Sequence, residues 1–372
     1  MKKILFGIII ILIIFPVIVA ANDSMEDFNE QPFEEVFAKG KVLNLQDIVI
    51  TDRQSQYYGQ EIQEVTVKIY HGPGKGTLIK AWNMKSGRPG WDIDPQIKDK
   101  IVLAVDQGQY YVADYAREDK IFWIIGLFII LIIALGGMKG IKAIGSLALT
   151  IMLIFIVLMP AALHGFPLIP LTILICAVVS TITFFIIGGI TKKSVSALIG
   201  TTLGCICAGI IAIIAGKTLH LTGLASDESL MLWYATQNAI NFQGLLFSGM
   251  MIGALGAIMD VAISVSSSMI EVRKAHPEIG TKKLIKSGLN VGKDIMGTMS
   301  NTLILAYTGG ALPLLLLFMA NQIPMIKILN LDMIATEVIR AMAGSIGIIL
   351  SVPLTALIGG WLITSEIDFM KE

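Results

Sequence analysis

The stretch Gly249–Glu271, GMMIGALGAIMDVAISVSSSMIE, is long enough to cross a lipid bilayer and carries one carboxylate, Asp260, near its middle. At helical spacing Gly249, Gly253, Gly256, Asp260, Ser264, Ser267 and Glu271 fall three or four residues apart, so they share one face. The other positions are mostly Met, Ile, Leu, Val and Ala. A charged side chain at the centre of a membrane helix costs about 2.5–3.5 kcal/mol on insertion scales, so Asp260 is expected to face protein or water rather than acyl chains.

Composition extends that reading to the whole chain. Its 372 residues are 55% hydrophobic and 15% charged, with a mean hydropathy of +0.75, which suits a polytopic membrane protein better than a soluble domain. Formal net charge is zero, yet Asn22–Lys120 holds 17 acidic and 12 basic residues, and the remainder holds 11 acidic and 16 basic. The basic excess lies beside apolar runs, where it sets topology and does not form a nucleic-acid patch. Cys176, Cys205 and Cys207 all lie inside apolar runs and read as packing thiols, not as a disulfide or a CxxC redox site.

Residues 1–21 have a basic start, an apolar run Ile4–Val19 and small residues at Ala20 and Ala21, the parts of a secretory signal peptide; an uncleaved anchor helix is the other reading. Both place residues 22–119 outside the cytoplasm. After an acidic lead, strands are predicted at Glu35–Leu45, Glu61–Tyr70, Thr77–Met84, Lys100–Asp106 and Gln109–Ala116. Val65, Val67 and Ile69 alternate with Glu64, Thr66 and Lys68, and the run His71–Gly76 supplies turn chemistry. Five short strands suit an OB- or SH3-like barrel, acting as a ligand groove or as a folded cap over the membrane domain. Its acidic balance argues against a nucleic-acid partner.

Residues 120–372 read as a seven-helix membrane domain, with helices near Ile121–Gly137, Ala143–Met159, Leu171–Ile190, Val195–Ala215, Leu245–Met269, Ile295–Met319 and Ala341–Ile363. Lys139, Lys142, Lys192, Lys193 and the basic loop Arg273–Lys293 fall on one side, which the positive-inside rule makes cytoplasmic together with the C-terminus. The outer connections keep Lys217, Lys327 and Arg340, offset by Asp227, Glu228, Asp332 and Glu337. In the fourth helix Ser196, Gly200, Gly204, Ala208, Ala212 and Gly216 recur every four residues, a stripe expected to admit a neighbouring backbone, as are Gly249, Gly253 and Gly256 in the fifth. Ala343, Gly347, Ser351, Thr355 and Gly359 repeat the device in the seventh, where Pro353 is expected to introduce a kink.

Intramembrane carboxylates mark ion or proton paths, or accept hydrogen bonds from neighbouring helices. The sixth helix offers Asp294, Thr298, Asn301 and Thr308 on one face, with Asn301 at a depth comparable with Asp260. Facing stripes of this kind make either a hydrophilic path for a small solute or ion or a set of interhelical hydrogen bonds. Met231–Gln243, with Trp233, Tyr234 and clustered amides, reads as an interfacial segment or an entry vestibule. His164 and His220 stand alone, and no metal-ligand spacing or cofactor motif is present. An intramembrane aspartyl protease needs two deep aspartates, and the G-x-S-x-G, H-E-x-x-H and Walker A signatures are missing, so a non-enzymatic role is expected. A homo-oligomer, or a cytoplasmic partner at Arg273–Lys293, is compatible with this layout.

The runs GALGAIMDVAISVSSSMIEV (Gly253–Val272) and NVGKDIMGTMSNTLILAYTGGALP (Asn290–Pro313) resemble the signature of the YibE/F-like membrane family. The resemblance takes in the chain from the extracytoplasmic β domain through the last helix. It implies a multi-pass plasma-membrane protein with an N-terminal ectodomain, and no particular substrate. A secondary transporter or permease with Asp260 in a polar path is the expected function. The alternatives are a non-transporting scaffold or sensor and the membrane subunit of an ATP-driven system.

Overall fold

The computed structural model describes residues 36–49, 61–85, 87, 90, 92–106, 108–236 and 240–365. The predicted signal or anchor segment, the acidic lead and the C-terminal residues 366–372 lie outside them. The chain forms two compact units, one ending at Ala134 and one running on from Leu135.

Period-2 patterning builds the first unit. Strands β1 (Val36–Val49), β2 (Glu61–His71), β3 (Leu78–Met84), β4 (Lys100–Asp106) and β5 (Gln109–Tyr115) lie close to the predicted positions. They close a barrel in the order β1-β2-β3-β5-β4, with β3 and β5 parallel and the other neighbours antiparallel. Three strands in sequence followed by a return of β4 to β1 is the Greek-key order of an OB-type barrel, which decides between the two predicted kinds. β1 pairs with both β2 and β4, and register shifts at Lys39/Gly40 and Val42/Asn44 bend it enough to close the wall. Val65, Val67 and Ile69 point inward onto Val42, Ile101 and Leu103, and removing that apolar area from water is the main force holding the barrel. Asn83 is buried and its amide nitrogen donates to the Ile93 carbonyl at 2.9 Å and to Gln63 Oε1 at 3.1 Å, so both of its N–H groups are satisfied. Gly72 has φ +89°, and a Cβ there would stand 2.7 Å from the Phe37 carbonyl oxygen, so the hairpin requires glycine on both counts.

Helix α1 (Glu118–Leu153) starts against this barrel: Lys39 pairs with Glu118 at 2.8 Å and Lys100 with Asp119. It continues through a π turn, Ile154–Leu158, into α2 (Met159–Leu163). The chain then forms α3 (Leu168–Gly188), α4 (Lys192–Thr218), α5 (Asp227–Ala235), α6 (Phe242–Ala275), α7 (Thr281–Gly310), α8 (Leu312–Ala320), α9 (Met325–Ile328) and α10 (Asp332–Thr364).

Among the described residues five helices are long and apolar enough to span a membrane, or six if α7 and α8, bent by 54° at their junction, make one span. The protein is therefore membrane-embedded. The count differs from the seven predicted helices because the first two runs form one helical stretch, Glu118–Leu163, of 46 residues. Gly137 interrupts it with φ 53° and ψ −134°, a conformation open to glycine. Unbroken, 46 residues at 1.5 Å each would reach about 69 Å, more than twice the ~30 Å hydrocarbon core. The sixth predicted helix also starts earlier, at Thr281, so Arg273–Lys293 is not a loop: residues 276–280 make the connection and the rest is helix. Leu284, Gly288 and Gly292 bury one side of that helix while Lys282, Lys283, Lys286 and Lys293 stay on the other, an amphipathic pattern that a search for wholly apolar runs passes over. α10 continues through Pro353 without a break.

Small residues let the core close. A Cβ on Gly204 would lie 2.9 Å from Ser351 Cβ and 3.2 Å from the Gly347 carbonyl oxygen, so α4 and α10 touch nearly backbone to backbone. Gly200 makes the same approach at Thr355. Ile258, Val261 and Val265 of α6 are fully buried in this core. α7 lies on α10 where Gly288 receives Ala356 and Gly292 receives Val352. Pairings such as Gly204 with Ile258, Gly209 with Met251 and Ser196 with Ser266 make α4 antiparallel to α6.

Candidate functional site

α6 has two unlike faces. Met251, Ala254, Ile258, Val261 and Val265 are buried toward α4 and α10. Gly249, Gly256 and Asp260 are exposed on the opposite face of the isolated chain, and Ser264 and Ser267 are half-buried on the same polar line. Among the described residues Asp260 makes no hydrogen bond or ion pair. Gly253 belongs to this line as well, but its missing side chain makes room for the Tyr307 hydroxyl of α7.

The antiparallel pairing of α6 with α7 fixes their relative height. Tyr307 meets Gly253 at one end and Gly288 meets Met269 at the other, so Asp260 stands level with Thr298–Asn301. Height is shared, but contact is not made. Asp294, Thr298 and Asn301 are exposed on α7, and the Thr298 hydroxyl donates to its own helix at the Ile295 carbonyl, 2.9 Å away. Among the described residues the two polar stripes therefore stand side by side without closing on each other. α7 turns its glycines to α10, and that rotation leaves its polar stripe facing outward beside that of α6.

Two hollows lie at the ends of α6. Toward Ala275, a hollow of about 190 Å³ is lined by Thr191, Lys192, Lys193, Ser267, Glu271 and Lys274. Thr191 caps α4 there, its hydroxyl accepting from the Ser194 amide at 3.2 Å. Toward Phe242, a second hollow of about 250 Å³ is lined by Asp227, Leu246, Thr336, Glu337 and Arg340. Arg340 pairs with Glu337 at 2.6 Å, and its guanidinium carbon lies 6.0 Å from the Tyr307 ring centre. The sequence reading put Arg340 and Glu337 in a loop and did not single out Tyr307. The signal was one aromatic hydroxyl inside the apolar run LILAYTGG, at the level of a glycine on the preceding helix.

Other polar residues of the predicted vestibule have local structural tasks. Asn241 accepts from the Gly244 amide at 2.8 Å and caps α6, and Gln243 donates to the Leu221 carbonyl at 2.7 Å. Trp233 and Tyr234 pack edge to face on α5, and Gln237 and Asn238 lie outside the described residues. Between α6 and α7, Arg273 donates to the Ile279 carbonyl at 2.8 Å and orders the turn beside an open hollow formed by residues 275–283.

A family model described as YibE/F-like protein matches residues 124–365. The chain belongs to the YibE/F-like family. The matched region takes in nearly all of the helices, with both polar stripes, and leaves the barrel outside it, so the expected extension of the resemblance into the β domain is not part of the match. No curated protein and no solved structure matches the chain. For a YibE/F-like protein, then, the Asp260 line lies within the part that the family shares.

Proposed function

We propose that this YibE/F-like protein is a non-enzymatic permease of the cell membrane that moves a small solute or ion along the polar line of α6, with Asp260 as the group that binds the ion or carries a proton. The observation that carries the reading is continuity. One helix face runs from the hollow holding Ser267 and Glu271, past Asp260, to Gly253 beneath Tyr307, close to the Arg340 hollow. A carboxylate in that position is costly unless it is used or covered, and alternation between charged and neutral forms is its ordinary use. We place Lys192, Lys193 and Lys274 at the cytoplasmic end and the barrel outside, following the positive-inside rule. Breaks at Gly137 and at the α7–α8 bend allow seven spans in this arrangement.

The test uses the full chain in liposomes that contain a pH-sensitive dye, with a potassium diffusion potential imposed. Wild-type vesicles should acidify or alkalinise faster than empty ones. Asp260→Asn should lower that rate at least tenfold, and Asp260→Glu should keep part of it. Equal rates for wild type and Asp260→Asn, with equal insertion, would remove Asp260 from the mechanism.

A further inference from the structure

The outward face of α6 and α7 carries small and polar residues that meet no neighbour among the described residues of the helical unit. Gly249 and Gly256 on α6 and Gly297 on α7 have no atom within 4 Å of where a Cβ would stand. Glycines of the buried faces differ: those at 204, 209, 288 and 292 each have a neighbour in that space. Smallness on the outward face therefore admits no neighbour among the described residues. Asp260 lies on that face, unpartnered among the described residues, near the middle of an apolar run where acyl chains cannot solvate it. Something polar must cover it.

The chain's remaining apolar runs do not qualify. Residues 4–19 contain no side chain that donates or accepts a hydrogen bond. Residues 121–135 contain only the Trp123 indole, near one end, and α8 contains none. The same face of a second copy does qualify. It presents the Asn301 carboxamide, a donor, at the height of the Asp260 carboxylate, an acceptor. A two-fold axis along the membrane normal preserves height, so one copy's Asp260 meets the partner's Asn301 and the reverse pair forms by symmetry. The small residues at 249, 256 and 297 then let the two backbones approach, as such residues do between membrane helices.

We propose that the α6–α7 face is the interface of a symmetric homodimer, with the axis between the two helices, so that α6 packs on the partner's α7 and an Asp260–Asn301 pair forms on each side of the axis. This does not depend on the transport reading. The test co-expresses full chains carrying Gly256→Cys with full chains carrying Thr302→Cys, an exposed position of α7 near the height of Gly256, and oxidises the membranes with copper phenanthroline. The expected product is a covalent mixed dimer of about twice 40.2 kDa. It should form neither in wild type, whose Cys176 and Cys205 are buried and Cys207 half-buried, nor when Leu357→Cys, on an exposed side of α10, replaces Gly256→Cys in the mixture. Gly256→Trp, whose side chain enters open space in the single chain, should leave folding intact and shift the purified protein from dimer to monomer by light scattering. Asn301→Leu should weaken self-association at least tenfold. Absence of the mixed dimer, equal cross-linking with Leu357→Cys, a dimer indifferent to Gly256→Trp, or a different protein at this face in cross-linked membranes would each overturn the proposal.

Discussion

Replacing Gly204 with alanine adds one methyl group where α4 and α10 approach nearly backbone to backbone. It would meet Ile258 Cγ2 and Ser351 Cβ at 2.9 Å and the Gly347 carbonyl oxygen at 3.2 Å. Real Cβ contacts rarely fall below 3.4 Å, so α4 and α10 must separate by roughly half an ångström over several turns, losing dispersion contacts throughout. Overpacking of this kind costs about 1–3 kcal/mol. Alanine's higher helix propensity returns about 1 kcal/mol, leaving a net loss of up to about 2 kcal/mol. For a unit of this size, about 2–4 °C per kcal/mol gives a midpoint lowered by up to about 8 °C. Thermal unfolding in detergent, followed by light scattering or thiol exposure of the buried Cys205, measures it. The control is Gly145→Ala on α1, where nothing lies within 4 Å of the new methyl and the midpoint should hold or rise. Equal shifts in both variants would refute the claim that close approach of α4 and α10 sets the stability of the core.

Further outcomes follow from the barrel. Asn83→Ala strands the buried Ile93 carbonyl, and an unsatisfied buried acceptor costs about 1–3 kcal/mol. Hydrogen-exchange protection in β2 and β3 of the full chain should fall about 5- to 150-fold, and unchanged protection would count against the buried hydrogen bond. The ion pairs at the barrel's base set its pH response. The Arg117 guanidinium beside Asp114 holds that carboxyl below its usual range, so its contribution is present above the ordinary carboxylate pKa of about 4 and is lost as pH falls through the lowered value. Hydrogen bonds from Lys39 to Glu118 and from Lys100 to Asp119 hold both ammonium groups above their usual pKa, so theirs is present below about 10.4 and lost as pH rises through the raised values. Protection of β1 and β5, corrected for intrinsic exchange, should therefore be level from about pH 5 to 9 and fall outside that range. A slope within it would show that other groups control the barrel.

The barrel was legible because each strand follows one local rule. Val65, Val67 and Ile69 alternate with polar residues, and the glycines of His71–Gly76 end the strand, so position and facing are both written locally. Strand order was not, since the return of β4 to β1 depends on closing the whole wall. Apolar length marked the membrane helices, but their ends were hidden. Lys282, Lys283 and Lys286 look like loop residues until Leu284 and Gly288 are seen to bury the other side of the same turns. For the site, spacing alone placed Asp260 and Asn301 at one height. It gave no rotation about the helix axis, because the choice between facing each other and facing outward lies with α10, through Gly288 and Gly292, far away in sequence.

That rotation divides the glycines of this chain into two sets with different tasks. In Gly204, Gly288 and Gly292 the missing side chain is occupied by a neighbour from the same chain, and its identity can be named atom by atom. In Gly249, Gly256 and Gly297 the space is empty, on the one face that also carries an unpaired membrane carboxylate. Open glycines also occur at 126, 136 and 145 on α1 and at 309 and 310 on α7, so an empty space by itself marks nothing. At 249, 256 and 297 it coincides with Asp260 and with Thr298 and Asn301 near its height. A surface that is small, polar and level with itself fits a copy of itself, and the same contact would enclose the Asp260 line between two chains. If the proposed dimer forms, the line that is open in one copy is covered in two, so the first set of glycines holds the fold and the second serves the proposed assembly.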